Sequence, residues 1–457
     1  MKPQAELRRY ERGFDALAHE LGLDFWPLEI DLVPAEFMME ISVYGLPVRL
    51  PHWSFGVRYI HRFIQHRMGH SKLYEVVFPG NPGQAYLAAT NSIVENALVI
   101  AHVLGHADFS KNNYLFRSVQ EQQGFRIVEQ AATHARRIGD AIEIHGADRV
   151  EQTLDAALAL EQHIDWHKAL HRPRYPELIE EEAPPEEQSA FQQRFDRLVG
   201  EERQRHAPPP PGRRAPIPPY PERDLLWFIA HYAPEMEPWE RDIFLTVREE
   251  SFYFYPVFAC QIINEGWASY WHARLMRDAD FLEDAFYLEA MKTHSDVVRP
   301  YAGEAQVALA INPYHLGFIL WNKIVEEQGM ERAWEIRKNE DDFAFVRNHL
   351  DEETARELGL FRYISEESGR VTAVDSDIDG LHETLLADRY NYAAPHIVAE
   401  ELERDGTLRL RHDHETDSIG LDLERTRKVL QYIEKVWRRP VEILTLDGDG
   451  DEICLSA

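Results

Sequence analysis

Apolar residues recur at three- and four-residue intervals through most of the chain up to about position 360, which is the period of amphipathic helices. The pattern predicts an opening helix over 4–22. It is followed by DFWPLEIDLVPAEFMMEISVYGLPVRLPHWSFG, where Pro27, Pro34, Pro47 and Pro51 punctuate short extended pieces. A helix over 57–68, an alternating strand in KLYEVVF and a turn in PGNPG at 79–83 come next. Helices over 90–109, 117–138 and 148–170 have the spacing of antiparallel packed neighbours. Residues 238–276 read as one long helix or two abutting ones, rich in aromatics, and 280–295, 314–329, 331–338 and 340–348 as further helices.

The texture changes twice. Between 172 and 222, EEEAPPEEQ and HAPPPPGRRAPIPPYPERD are rich in proline and charge and poor in apolar residues. Such a segment buries too little surface to fix a fold alone and reads as a partly mobile insertion, with FQQRFDRLVGEERQR as a transient or docked helix. From about Phe361, RVTAV, TLRLRH, SIGLDL and VEILTL are short β-type runs, with a helix over 422–438 and a turn at DGDGD. The expected fold is mainly α: a multi-helix N-terminal domain with a few short strands, then a small α+β module. The expected division is a helical domain in two parts, 1–171 and 223–360, the insertion 172–222 and the module 361–457.

Composition narrows the function classes. Among 457 residues, 49 Lys and Arg face 79 Asp and Glu, a formal net charge of −30. Such a surface repels phosphate backbones and disfavours nucleic-acid binding through a broad basic face, and anionic membrane surfaces with it. The two cysteines, Cys260 and Cys454, cannot build a multi-bridge framework and fit a reducing compartment. MKPQAELRRYERGFDALAHELG interleaves charge with apolar residues, unlike a signal peptide, and no apolar run is long enough to span a bilayer. These features lead to the expectation of a cytoplasmic protein.

The 22 histidines are the unusual count, because imidazole is the commonest metal ligand and carboxylate its usual companion. In NSIVENALVIAHVLGHADF, His102 and His106 lie four residues apart on one helix and share a face. Glu95 lies on nearly the same stripe. The zinc-protease signature HExxH has this spacing, with a Glu directly after the first His as general base, but here that position is Val103. The alternative is two half-buried histidines bonded to their neighbours. In VREESFYFYPVFACQIINEGWASYWHAR, Glu265 and His272 are two helical turns apart in an apolar, aromatic setting. A carboxylate there needs a metal, several donors, or an ion pair with an Arg such as Arg248 or Arg274. Gly266 suggests close approach of a backbone or ligand. Glu249 and Glu250, about four turns earlier, are candidates to send a carboxylate into the same cavity.

Weaker candidates are the stripe His163, His167 and His171, with Glu161 and Asp165 nearby, which is more often a solvated helix end. His294 and Tyr314 could orient substrate or steady an oxyanion, against the blander role of core hydrogen bonding. Cys260 reads as a small buried apolar group. DGDGD lacks the downstream Glu of a calcium loop. No P-loop, GxGxxG after a strand or GxSxG elbow occurs.

Taken together, DFWPLEIDLVPAEFMMEISVYGLP, PHWSFG, NSIVENALVIAHVLGHADFSKNNYLF, PERDLLWFIAHYAPEMEPWERDIFLTVREE, NEGWASYWHARLMR and INPYHLGF resemble the stage V sporulation protein R (SpoVR) family. The similarity extends from about residue 22 to GTLRLRHDHE and VWRRPVEILTL in the C-terminal module. The resemblance implies a cytoplasmic bacterial protein linked to the spore cortex, a peptidoglycan layer, or to stress response. It also implies a PrkA-type serine kinase and a von Willebrand factor A-like protein as partners, but it supplies no reaction. AHVLGH followed by NEGWASYW is also similar to the metal site of zincin-like peptidases. By that analogy His102, His106 and Glu265 would hold zinc or another divalent transition metal and leave one position open for water. Two departures stand out: Val103 replaces the base, and the Glu comes much later than in such enzymes. An inserted pair of helices would account for the second.

Three readings follow. In the first, the protein is a metal-dependent hydrolase of an amide in a cell-wall peptide or related substrate. Glu95, Glu249 or Glu250 would be its base, and His272 or His294 would steady the oxyanion. In the second, the protein is a non-enzymatic regulator or scaffold recruiting the kinase, and the His/Glu cluster is structural. The third is an oxidative iron site on Glu95, His102, His106, His163 and Glu265, although the ExxH spacing of di-iron proteins is absent.

Overall fold

In a computed structural model, residues 3–67, 75–124, 126–175, 216–299, 311–360, 362–365, 371–374, 377–417, 420–448 and 450–457 are described. The protein is mainly α, with small sheets and an α+β module at the C-terminal end. The chain divides into two compact units, Met1–Leu170 with Glu237–Ala394, and His171–Met236 with Pro395–Ala457. The sequence placed its boundaries at 172, 223 and 361 instead, and most of the expected insertion, with its helix, lies outside the described residues.

The first unit opens with α1 (Pro3–Glu20), β1 (Leu28–Val33) and α2 (Ala35–Tyr44). α2 is a correction, since extended pieces were expected there. Pro34 directly precedes the helix and Gly45 closes it in the left-handed conformation at φ 74°, so the prolines bound a helix rather than interrupt one. α3 (Trp53–Arg67) follows, then β2 (Glu75–Phe78) and β3 (Gly83–Ala88). β3, unforeseen in the sequence, is the central strand, parallel to β1 and antiparallel to β2.

Next come α4 (Ile93–Asn112), α5 (Tyr114–Gln123), α6 (Ile127–His145) and α7 (Ala147–Ala159). The single helix expected over 117–138 is broken at Gly124, whose φ is 81°. α8 (Leu225–Tyr232) belongs to the second unit. In the first unit again, α9 (Pro238–Ala259) and α10 (Gln261–Asp278) abut at Cys260. They precede α11 (Asp284–Val297), α12 (Pro313–Asn339), α13 (Asp342–His349), α14 (Glu352–Glu357), the hairpin β4 (Arg362–Ser365) and β5 (Val371–Val374), and α15 (Ile378–Leu386). α12 joins two expected helices across a break at Gly329.

The second unit carries the sheet β6 (Ile397–Leu402), β7 (Leu408–His412), β8 (Val441–Leu446) and β9 (Glu452–Ser456), in that order. α16 (His414–Asp417) and α17 (Leu423–Trp437) connect β7 to β8, and this crossover permits their parallel pairing. SIGLDL is not a strand in its described part, where Asp422 caps α17. DGDGD is the turn between β8 and β9.

The core of the first unit is built where α4, α10 and α12 cross. Side chains with no bulk let the backbones meet: a Cβ on Gly266 of α10 would overlap the Gly317 backbone of α12, and one on Gly317 would overlap the Ile262 carbonyl. On the other side of α10, a Cβ on Gly105 of α4 would lie 2.7 Å from Ala268 Cα. Asp342 anchors the start of α10 by accepting from the backbone N–H of Ile262 and Ile263 at 3.0 and 2.9 Å. Trp321 Nε1 donates to the Ile263 carbonyl at 2.9 Å. Asp108 of α4 accepts from Trp267 Nε1 at 2.8 Å and pairs with Arg337 at 2.5 Å.

Because the Gly266 site has no room, Gly266→Ala should destabilise the protein by about 1–3 kcal/mol in urea unfolding. Gly139→Ala, in the interior of α6 with nothing within 4 Å of the added Cβ, should stabilise it by about 0.5–1 kcal/mol. Equal effects of the two substitutions would refute the close crossing.

Candidate metal centre

α4 starts with a capping box: Ser92 Oγ accepts from the Glu95 N–H at 3.1 Å, and Glu95 Oε2 accepts from the Ser92 N–H at 2.7 Å. Glu95 is therefore held at the helix end and is not brought to the histidines, contrary to expectation. Two turns in, His102 and His106 project from one face of the buried helix with their rings 4.5 Å apart. α10 crosses this face and presents Glu265, the residue before the Gly266 contact. Glu265 Oε2 lies 3.5 Å from His102 Nε2 and 3.3 Å from His106 Nε2. The three ligand atoms lie within 4.8 Å of one another, and among the described residues this is the one such group.

The electrostatics are those of a charge cluster withdrawn from water. Burial raises the Glu265 carboxyl, but His106 and His102 outweigh it and hold the group well below the usual carboxylate range. Burial lowers His106, and the Glu265 charge more than compensates, so its pKa rises. His102 is lowered, first by burial and then by His106. His102 Nε2 and Glu265 Oε2 are both buried and lack a hydrogen-bond partner among the described residues. Two such atoms facing each other are costly unless something between them is bound.

These residues fit a divalent cation. Ligand atoms about 2.1 Å from tetrahedral zinc lie about 3.4 Å apart; the two separations from Glu265, 3.5 and 3.3 Å, match this, and all three atoms lie within 4.8 Å of one another. The orienting contacts suit it as well. His106 Nδ1 lies 2.9 Å from Asn264 Oδ1, so its proton goes to Asn264 and Nε2 is directed at Glu265.

The structure adds a carboxylate that sequence reasoning missed. Glu75, the first residue of β2, places Oε1 4.0 Å from His102 Nε2. Burial, then the Glu265 charge, push its carboxyl up to about 7. The only signal was an acidic residue within the otherwise apolar run LYEVVF. Tyr314, at the start of α12, stacks over His102 with centroids 6.0 Å apart. The Glu265 charge, then burial, raise its hydroxyl well above the usual range, so it remains a neutral donor. His272 and His294 lie behind His102: His272 Nδ1 is 2.9 Å from His102 Nδ1 and its Nε2 is 2.5 Å from His294 Nδ1.

The remaining candidates lie elsewhere. Glu249 and Glu250 face α6, where His134 lies 3.4 Å from Glu249 and 3.5 Å from Glu250. Glu250 also pairs with Arg49 at 2.7 Å, and Arg49 with Glu161 at 3.3 Å. Neither proposed ion-pair partner reaches Glu265. Arg248 donates to the Leu170 and Ala169 carbonyls, and Arg274 pairs with Asp278. α7 ends at Ala159 with Leu160 as its cap, so His163, His167 and His171 do not form a helical stripe. Cys260 is fully buried, as expected.

Fold and site together define a mainly helical protein whose central helices enclose a buried His–His–Glu cluster with two further acids of raised pKa beside it. A family model described as SpoVR like protein matches residues 2–392, and the chain belongs to that family. A protein of Escherichia coli (strain K12), named Uncharacterized protein YcgB, is 30% identical over 479 residues, covering 96% of this chain and 92% of its own length. No solved structure matches the chain. Among the described residues no helix is long and apolar enough to cross a membrane.

The His134 cluster gives a pH test. Burial opposes the charge on His134, but hydrogen bonds to Glu249 and Glu250 outweigh it and push the imidazole from 6.5 up to about 9. Because the folded value lies above the unfolded one, this stabilisation is complete below about pH 6.5 and is lost as pH rises through about 9. Stability in urea should fall across that window, and His134→Gln should flatten the fall; an unchanged slope would refute the pairing.

Proposed function

We propose that this protein is a metal-dependent hydrolase that cleaves an amide bond in a cell-wall peptide or related substrate, with zinc or another divalent transition metal on His102, His106 and Glu265. The observation that carries the reading is the buried cluster in which His102 Nε2 and His106 Nε2 stand 3.5 and 3.3 Å from Glu265 Oε2, with no closer hydrogen bond to His102 Nε2 or Glu265 Oε2 among the described residues. The family name, from sporulation, supports the choice of substrate class.

Held by His102, His106 and Glu265, a zinc ion would supply Lewis-acid chemistry toward water and a carbonyl. The rest falls to side chains. Glu75 fills the role left open by Val103. Its carboxylate, 4.0 Å from His102 Nε2, stands where it can take a proton from water and return it to a leaving amine. Tyr314 donates its O–H toward charge developing on the carbonyl oxygen. Asn264 fixes the His106 ring. Because His272 and His294 stand on the far side of His102 from Glu265, the oxyanion role passes from them to Tyr314.

Protein purified without a His tag should contain about one equivalent of metal by mass spectrometry, lost in His102→Ala and Glu265→Ala. Glu75→Gln should keep the metal and release new amines from muropeptides at least about a hundredfold more slowly. Metal-free folded protein ends this reading. Bound metal without hydrolysis favours a structural site in a regulatory protein that works with a kinase.

A further inference from the structure

The His102 Nδ1 contact does not end at His272. His272 is fully buried on α10, and His294, 7% exposed, comes from α11. Three imidazoles thus form one chain, His102 Nδ1 to His272 Nδ1 at 2.9 Å and His272 Nε2 to His294 Nδ1 at 2.5 Å. Rings in such a chain must agree on where their protons sit. Two Nδ1 atoms at hydrogen-bond distance share a single proton, because two N–H groups would repel and two lone pairs would leave both atoms unsatisfied.

A ring that donates from one nitrogen and accepts at the other carries a single proton, so the two contacts order the three rings in one direction.

Resting on the reading of His102 as a metal ligand, we propose that His272 and His294 are positioning residues that fix the His102 tautomer for metal binding. The order follows ring by ring. A cation on Nε2 requires that nitrogen to be bare, so the His102 proton sits on Nδ1. His272 Nδ1 then accepts it, the His272 proton sits on Nε2, and it is donated to His294 Nδ1. The His294 proton is left on Nε2. Metal-ligating histidines commonly donate their other N–H to a carboxylate, a carbonyl or water; here His102 also has a backbone contact with Ala268, and its Nδ1 faces a second imidazole, itself held by a third. Packing supports the end of the chain. Phe318 meets the His294 ring edge to face, with centroids 5.0 Å apart, and helps hold it toward His272.

The test separates affinity from fold. Zinc affinity of the full chain is measured by competition with a chromophoric chelator, and the fold of each metal-free variant by its melting temperature. His294→Leu, which has no acceptor, should bind zinc about tenfold more weakly, and His294→Asn, which restores an acceptor oxygen, should recover most of the loss. Equal affinity in wild type and His294→Leu would overturn the chain, as would equal weakening in both variants.

A measurement on the wild type needs no variant. With 15N-histidine labelling, the zinc-loaded protein should show His272 protonated at Nε2 and bare at Nδ1; the opposite tautomer would overturn the proposal. Wild-type protein that binds no zinc refutes the metal-site reading itself. Zinc binding that is unaffected at His294 refutes only the positioning role.

Discussion

Everything at the candidate centre depends on how closely three helices approach. α10 lies against α12 through Gly266 and Gly317, and against α4 through Gly105 and Ala268, with no space for a Cβ at the glycine positions. Helices usually pack 8–10 Å apart, a spacing set by the side chains at the contact. Removing those side chains brings the backbones closer and leaves the residues beside the contact facing each other across a short gap. Glu265 precedes Gly266 and Ala268 follows it, so one crossing aims the carboxylate at both histidines. The same α12 contact carries Tyr314 to the rim.

Such an arrangement buries charge, which needs compensation. The chain's acidic surplus is mostly a matter of the surface, but several carboxylates are withdrawn from water, and each has a distinct answer. Asp108 has Arg337 and an indole N–H, Glu250 has Arg49 and His134, and Asp342 has two backbone N–H groups at the start of α10. Glu265 has two imidazoles whose distances exceed a good hydrogen bond. Glu250 stands as far from its imidazole, 3.5 Å, but Arg49 reaches it at 2.7 Å, whereas among the described residues no Lys or Arg pairs with Glu265.

The candidate site was legible where it is local. His102 and His106 show themselves because a four-residue step on a helix always returns to the same face, and Glu265 and His272 because two turns do so too. Glu249 and Glu250 were misplaced for a comparable reason. The break at Cys260 between α9 and α10 resets the helical phase, so counting turns across it points them at the wrong neighbour. Glu95 lay on the right stripe, but its capping role at the first turn claimed it. The sheet was less legible still: β3 joins β1 in parallel across 49 intervening residues, and no local pattern records that pairing.

The amino-acid order by itself determined the helical periods, the mainly α class, the family resemblance and the paired histidines with their distant Glu, because each rests on spacing along one element or on extended motif identity. Only the tertiary structure decided that Glu75 rather than Glu95, Glu249 or Glu250 stands beside the pair, that Tyr314 covers it and that His272 and His294 back it. Those neighbours come from different elements. Their meeting is set by the depth of a glycine crossing and the register of a strand, quantities that exist only once the backbones have packed.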